Sequence, residues 1–93
     1  MKQIVAALMA EPKLLSEFDP EWIEDTTDKV IVTAMKGLYA QGTVPTPQVV
    51  DREASLLGIS GMINAINAKM EMAGEFVPKY VVDAMREEFN DRT

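Results

Sequence analysis

Neither cysteine nor histidine occurs in the 93 residues. The first absence excludes disulfide staples, thiol nucleophiles and cysteine-based metal or redox chemistry. The second removes the imidazole on which most nucleophile–base pairs and zinc ligand sets rely. An enzyme is therefore the least expected reading of this chain. Aromatic residues make up only 6% of it, with a single tryptophan, Trp22. Long apolar runs are missing too. Met1 to Ala10 has the outline of a signal peptide, with one basic residue and an apolar stretch. Glu11 and Pro12 cut it short, and helical spacing accounts for the same residues, so the expectation is a cytoplasmic chain with no membrane partner.

Positive charge is also scarce, with 9 Lys and Arg against 15 Asp and Glu and a formal net charge of −6. Glu17, Asp19, Glu21, Glu24, Asp25 and Asp28 follow one another with no Lys or Arg between them. Such a face repels a phosphate backbone, so strong direct nucleic-acid binding is not expected. The run reads as a solvated face with acids at helix N-termini, where the macrodipole favours them, or else as a docking patch for a basic partner.

What is present is a chain 47% hydrophobic and 26% charged, long enough for one domain with a modest core. Its organising stretch is Leu38 to Pro47. Gly42 can close a helix in the left-handed conformation, so Leu38 to Gln41 is expected as a last turn. Thr46 then offers a hydroxyl to orphan N–H groups, with Pro47 at the first position of the next helix.

Taken in order, Ile4, Val5 and Leu8 share a face of a short first helix that Glu11-Pro12 ends. Pro12 opens a second, with Leu14, Leu15 and Phe18 inward. Asp19 caps a single turn, Pro20 to Ile23, anchored by Trp22 and Ile23. The longest and central helix should start with Thr26 or Thr27 as its cap and bury Val30, Ile31, Ala34, Met35 and Leu38. After the joint, Val49, Val50, Ala54 and Leu57 line a helix ending at Gly58. Ser60 is expected to cap the next helix and Ile59 to staple onto it, with Ile66 and Met70 continuing its stripe to Gly74. Pro78 opens the last helix, with Tyr80, Val81, Ala84, Met85 and Phe89 as its apolar face. No segment alternates like a strand. The expected fold is all-α, a compact bundle of five or six short helices in a single domain, 1–93.

Catalytic and ligand-binding motifs are weak. Gly37 and Gly42 have phosphate-loop spacing, but Thr43 stands where the lysine is required, so no nucleotide site is expected. Glu24 with Asp28, and Asp83 with Glu87, are i, i+4 acid pairs that read as solvated rather than as cation sites. No catalytic residue, cofactor or metal ligand is assigned. Seven methionines are the compositional oddity; thioethers fill gaps in small cores and also suit adaptable contact surfaces. Met72 falls off the stripe set by Ile63, Ile66 and Met70. It is a candidate partner contact, together with Val81, Met85 and Phe89 of the last helix.

The order of these segments resembles the N-terminal domain of DnaB-type replicative DNA helicases of bacteria and phages. The resemblance is carried by Ile4 to Met9, Glu11-Pro12-Lys13-Leu14-Leu15, Pro20 to Asp25, Val30-Ile31, Ala34-Met35 and Leu38-Tyr39, ending at Gly42. Val49-Val50 and Tyr80, Val82, Arg86-Glu87 continue it. The chain departs from the family pattern at Ala6, where a glycine is common, at Thr46, where an aspartate is common, and in Gly58 to Ile63. These departures point to a distant phage or plasmid relative. The resemblance implies a helical head that helps build the ring's N-terminal collar and binds primase or a helicase loader. ATP hydrolysis would belong to a C-terminal motor, and residues 78–93 would begin a helical hairpin. In isolation the chain is then expected to be a monomer or weak dimer, and a hexamer in the full-length parent. Two alternatives stay open: the helicase-binding C-terminal domain of a primase, and a free-standing small acidic phage regulator.

Overall fold

A computed structural model describes residues 4–71 and 77–92. Its elements are α1 (Ile4–Ala10), a 3-10 helix (Pro12–Glu17), a 3-10 turn (Pro20–Trp22), α2 (Thr26–Ala40), α3 (Pro47–Leu56), α4 (Ile63–Glu71) and α5 (Pro78–Arg92). No β-strand occurs among the described residues. The radius of gyration, 12.3 Å, is that of a tightly folded chain of this length.

The innermost element is α1. Ile4, Val5, Ala6, Ala7 and Leu8 are all buried, so the helix is enclosed all round rather than along one stripe. It touches α2, α4, α5 and the Pro12–Glu17 helix. The sequence places α2 at the centre and gives α1 only one inward face. The difference lies in Ala6 and Ala7, whose small side chains let neighbouring helices close over a second face. Seven residues are too few for a stable helix in water, so α1 is held by that enclosure.

Helix α2 supplies the longest wall of the core through Ile31, Ala34, Met35 and Leu38, as expected, with Val32 added and Val30 only half-buried. Its cap is Asp25, not Thr26 or Thr27: the Asp25 carboxylate accepts from the Asp28 N–H at 2.9 Å. A carboxylate brings a full charge to the positive helix end, which a threonine hydroxyl does not. At the other end Gly42 has φ +81°, and the N–H groups of Gly42 and Thr43 donate to the carbonyls of Tyr39 and Leu38. This is the paired closure of a Schellman motif. Thr46 then accepts from the Val49 N–H at 3.4 Å, with Pro47 opening α3. The joint between α2 and α3 is thus built as the sequence predicts.

Gly58, at φ +94°, closes α3 in the same way, its N–H and that of Ile59 donating to Ser55 and Ala54. Two expectations fail here. Leu57 is 57% exposed, because it lies beyond the last helical residue, Leu56, and overhangs the edge of α2 instead of following Val50 and Ala54 inward. Ser60 does not cap α4. The Ile63 N–H donates instead to Asp51 Oδ1, at 3.1 Å, from the middle of α3. A cap borrowed from another helix leaves no local sequence signature. Beyond it, Ile66 is buried, Met70 is 37% exposed, and Gly74 lies outside the described residues.

The face of α5 is turned by about one residue from the expected one. Val82 and Met85 are buried, Val81 packs against the core, and Tyr80 and Ala84 are exposed. Trp22 packs beside this helix. Phe18 meets its ring edge-on at 5.0 Å, and the Arg86 guanidinium lies 5.2 Å from the ring centroid. Lys69 of α4 pairs with Asp28 of α2 at 2.6 Å in a partly sheltered contact.

Two outcomes follow for stability, read by chemical denaturation. Ala7→Leu should cost about 1–3 kcal/mol, because α1 has no free side on which to place the added carbons. Asp51→Ala should cost about 1 kcal/mol through the lost α4 cap, whereas Ser60→Ala should stay within about 0.5 kcal/mol.

Candidate interaction surface

Of the seven large apolar side chains exposed among the described residues, three stand where α3 ends. Leu56 and Leu57 are 76% and 57% exposed, and Ile59 is 37% exposed. Between this corner and the outer face of α2 lies an open cleft of about 290 Å³, lined by Thr26, Lys29, Val30, Thr33, Leu57 and Ile59. Helical arithmetic explains the α2 wall: residues 26, 29, 30 and 33 stand at i, i+3, i+4 and i+7 and form one stripe, beside the stripe that faces the core. The second wall exists because Gly58 turns the chain sharply and leaves Leu57 and Ile59 on either side of the turn.

The polar groups of the cleft are largely satisfied. Thr33 donates its hydroxyl proton to the Lys29 carbonyl at 2.7 Å, and the Lys29 ammonium reaches Glu21 Oε2 at 3.4 Å. A cleft with this lining is suited to burying apolar side chains of a partner. A second hollow, about 360 Å³, lies at the α2–α3 joint against Tyr39, Gly42, Thr43 and Val44.

The acidic stretch is distributed as a capping and pairing face. Asp19 and Asp25 cap the Pro20–Trp22 turn and α2, Glu21 and Asp28 stand in their first turns, and Glu17 meets Lys79 at 3.5 Å. The two acid pairs are divided among the protein's own cations. Asp28 goes to Lys69, and Asp83 lies 3.6 Å from Lys79 and 3.8 Å from Arg86. Among the described residues no three carboxylates gather to hold a metal. Gly37 is mid-helix and Gly42 is a helix stop, so their phosphate-loop spacing corresponds to no loop.

Of the four contact candidates read from the sequence, Met72 lies outside the described residues. Met85 is 6% exposed and Val81 packs against the core, so both are occupied within the domain; Phe89 is half-buried. The reason is that α5 packs this face against α1 and the Pro20–Trp22 turn. Sequence reasoning missed Leu57 and Ile59 as surface residues by continuing the α3 stripe through its cap and invoking a staple. The adjacent Gly58 was the available sign that the helical register stops there.

Met85→Ala should therefore lower stability by about 2–5 kcal/mol, while Leu57→Ser stays within about 0.5 kcal/mol, both measured by urea denaturation. Comparison with protein-family models, with curated proteins and with solved structures gives no match for this chain.

Proposed function

We propose that this chain is a non-catalytic helical interaction domain, the head of a DnaB-type replicative helicase that contributes to the ring's collar and binds primase or a helicase loader. The observation that carries the interaction role is the exposed apolar pair Leu57 and Ile59, which line a cleft together with Val30. Isolated exposed apolar residues are ordinary, but a cluster lining a cleft marks a surface that buries a partner. The helicase assignment rests on the resemblance in segment order. The segments that carry it correspond to successive elements, from α1 and the Pro12–Glu17 helix through α2 and its Gly42 stop to α3 and α5. In this reading ATP hydrolysis and DNA translocation belong to a motor domain outside these residues. The domain works in the cytoplasm, without cofactor or membrane; no described helix is long and apolar enough to cross a membrane.

Calorimetric titration of the purified chain with a primase C-terminal domain and with a helicase loader tests the reading. Saturable binding to one of them is the expected result. Sedimentation should show a monomer or weak dimer, and an in-frame Gly-x-x-x-x-Gly-Lys-Ser/Thr motif should follow in the source gene. Absence of binding to both, with a stop codon directly after Thr93, would assign the chain to the free-standing regulators instead.

A further inference from the structure

Helix α4 contributes least to the core. Of its nine residues only Ile66 is buried, whereas α1 and α2 bury five each. It rests on α1 and α3. The packing of α1 against α2 and α5, and of α3 against α2, is made without it. Nine residues are too few for a helix to persist unsupported, so whatever holds α4 in place also keeps it folded.

The fastenings of α4 are few and mostly polar. Ile66 enters the core from its middle, with Met62 packed against the core just ahead of the helix. At its start the Ile63 N–H donates to Asp51 of α3 at 3.1 Å. In its last turn the Lys69 ammonium meets Asp28 Oδ1, in the first turn of α2, at 2.6 Å. That oxygen is shut off from solvent while the pair is closed. Removing one partner of such a pair strands the other charge, but parting the two leaves both free to regain water. Asp28 then also keeps the favourable field of the α2 N-terminus. The approach to α4 is loose as well. Leu57 to Gly61 is exposed at every residue, and a Cβ at Gly58 or Gly61 would meet nothing within 4 Å, so no packed neighbour pins the chain at either glycine.

We propose that α4 is a releasable lid. It lets go of α1 and α3 and unfolds as a unit while α1, α2, α3 and α5 stay packed, and the Asp28–Lys69 pair is its latch. Opening bares the side of α1 on which α4 rests, a strip of the otherwise enclosed Ile4 to Leu8 helix. The domain thus holds a second apolar surface, hidden in the closed state, besides the exposed Leu57 and Ile59. This opening belongs to the chain alone and needs no partner, so it stands or falls separately from the proposed function.

Native-state hydrogen exchange of the full chain, followed amide by amide by NMR over a series of low urea concentrations, tests the lid. The amides of Ile66, Lys69 and Met70 should be at least tenfold less protected than those of Val32, Met35 and Leu38. Their exchange should also depend weakly on urea, because opening exposes little surface, while the α2 amides follow global unfolding with its steeper slope. Lys69→Met should speed the α4 amides at least threefold. Met85→Ala weakens packing that the closed and open forms share, so it should speed the α2 amides and leave the α4 amides unchanged. Circular dichroism should show that both variants fold, and the urea series of the unaltered chain gives an answer that depends on neither. Equal protection and equal urea slopes in the two groups would overturn the proposal, as would a Met85→Ala chain whose α4 amides speed up as much as those of α2. Unchanged α4 exchange in Lys69→Met would overturn the latch.

Discussion

The enclosure of α1 is the constraint to which the rest of the domain is fitted. A helix of seven residues has little stability of its own, and its five buried residues present apolar surface in every direction. α2 covers one side, α5 and α4 cover others, and the Pro12–Glu17 helix folds back beneath it. No described polar or charged residue is buried, so the core works by exclusion of water and close packing rather than by hydrogen-bonded recognition. In such a core the placement of each covering helix is decided at its ends. The ends are where this chain is most specific: three aspartates and one threonine accept from helix N-termini, and two glycines close helix C-termini with doubled backbone hydrogen bonds.

Much of this was legible in the sequence because helix ends have local chemistry. Gly42, Thr46 with Pro47, Asp19 with Pro20, and Gly58 each act within a few residues of their own position, and a single reading frame reveals them. What could not be read was contributed across the fold. Asp51 caps α4 from twelve residues away, so the nearby Ser60 looked like the cap although the Ile63 N–H donates to Asp51. Ala6 and Ala7 were illegible for another reason, since alanine suits a solvent face and a tight helix crossing equally well. The face of α5 was decided by its packing against α1 and the Pro20–Trp22 turn, segments far away in the chain, and periodicity alone did not reveal it.

The exposed apolar surface was harder still. Apolar periodicity marks what can be buried and does not say whether this chain or another does the burying. Leu57 continues the arithmetic of Val50 and Ala54, yet it lies past the end of the helix that gives that arithmetic meaning. Met85 shows the converse. A methionine on an amphipathic helix looked available for contact, and the domain uses it as filling.

The ring contacts of Trp22 have one more consequence. It is the chain's only indole, with the edge of Phe18 on it and the cation of Arg86 over it, and Arg86 belongs to the last helix while Trp22 belongs to an early turn. Its emission therefore reports on the seating of that helix without an attached dye, and the molecule carries an intrinsic optical gauge of whether α5 still lies against the early Pro20–Trp22 turn.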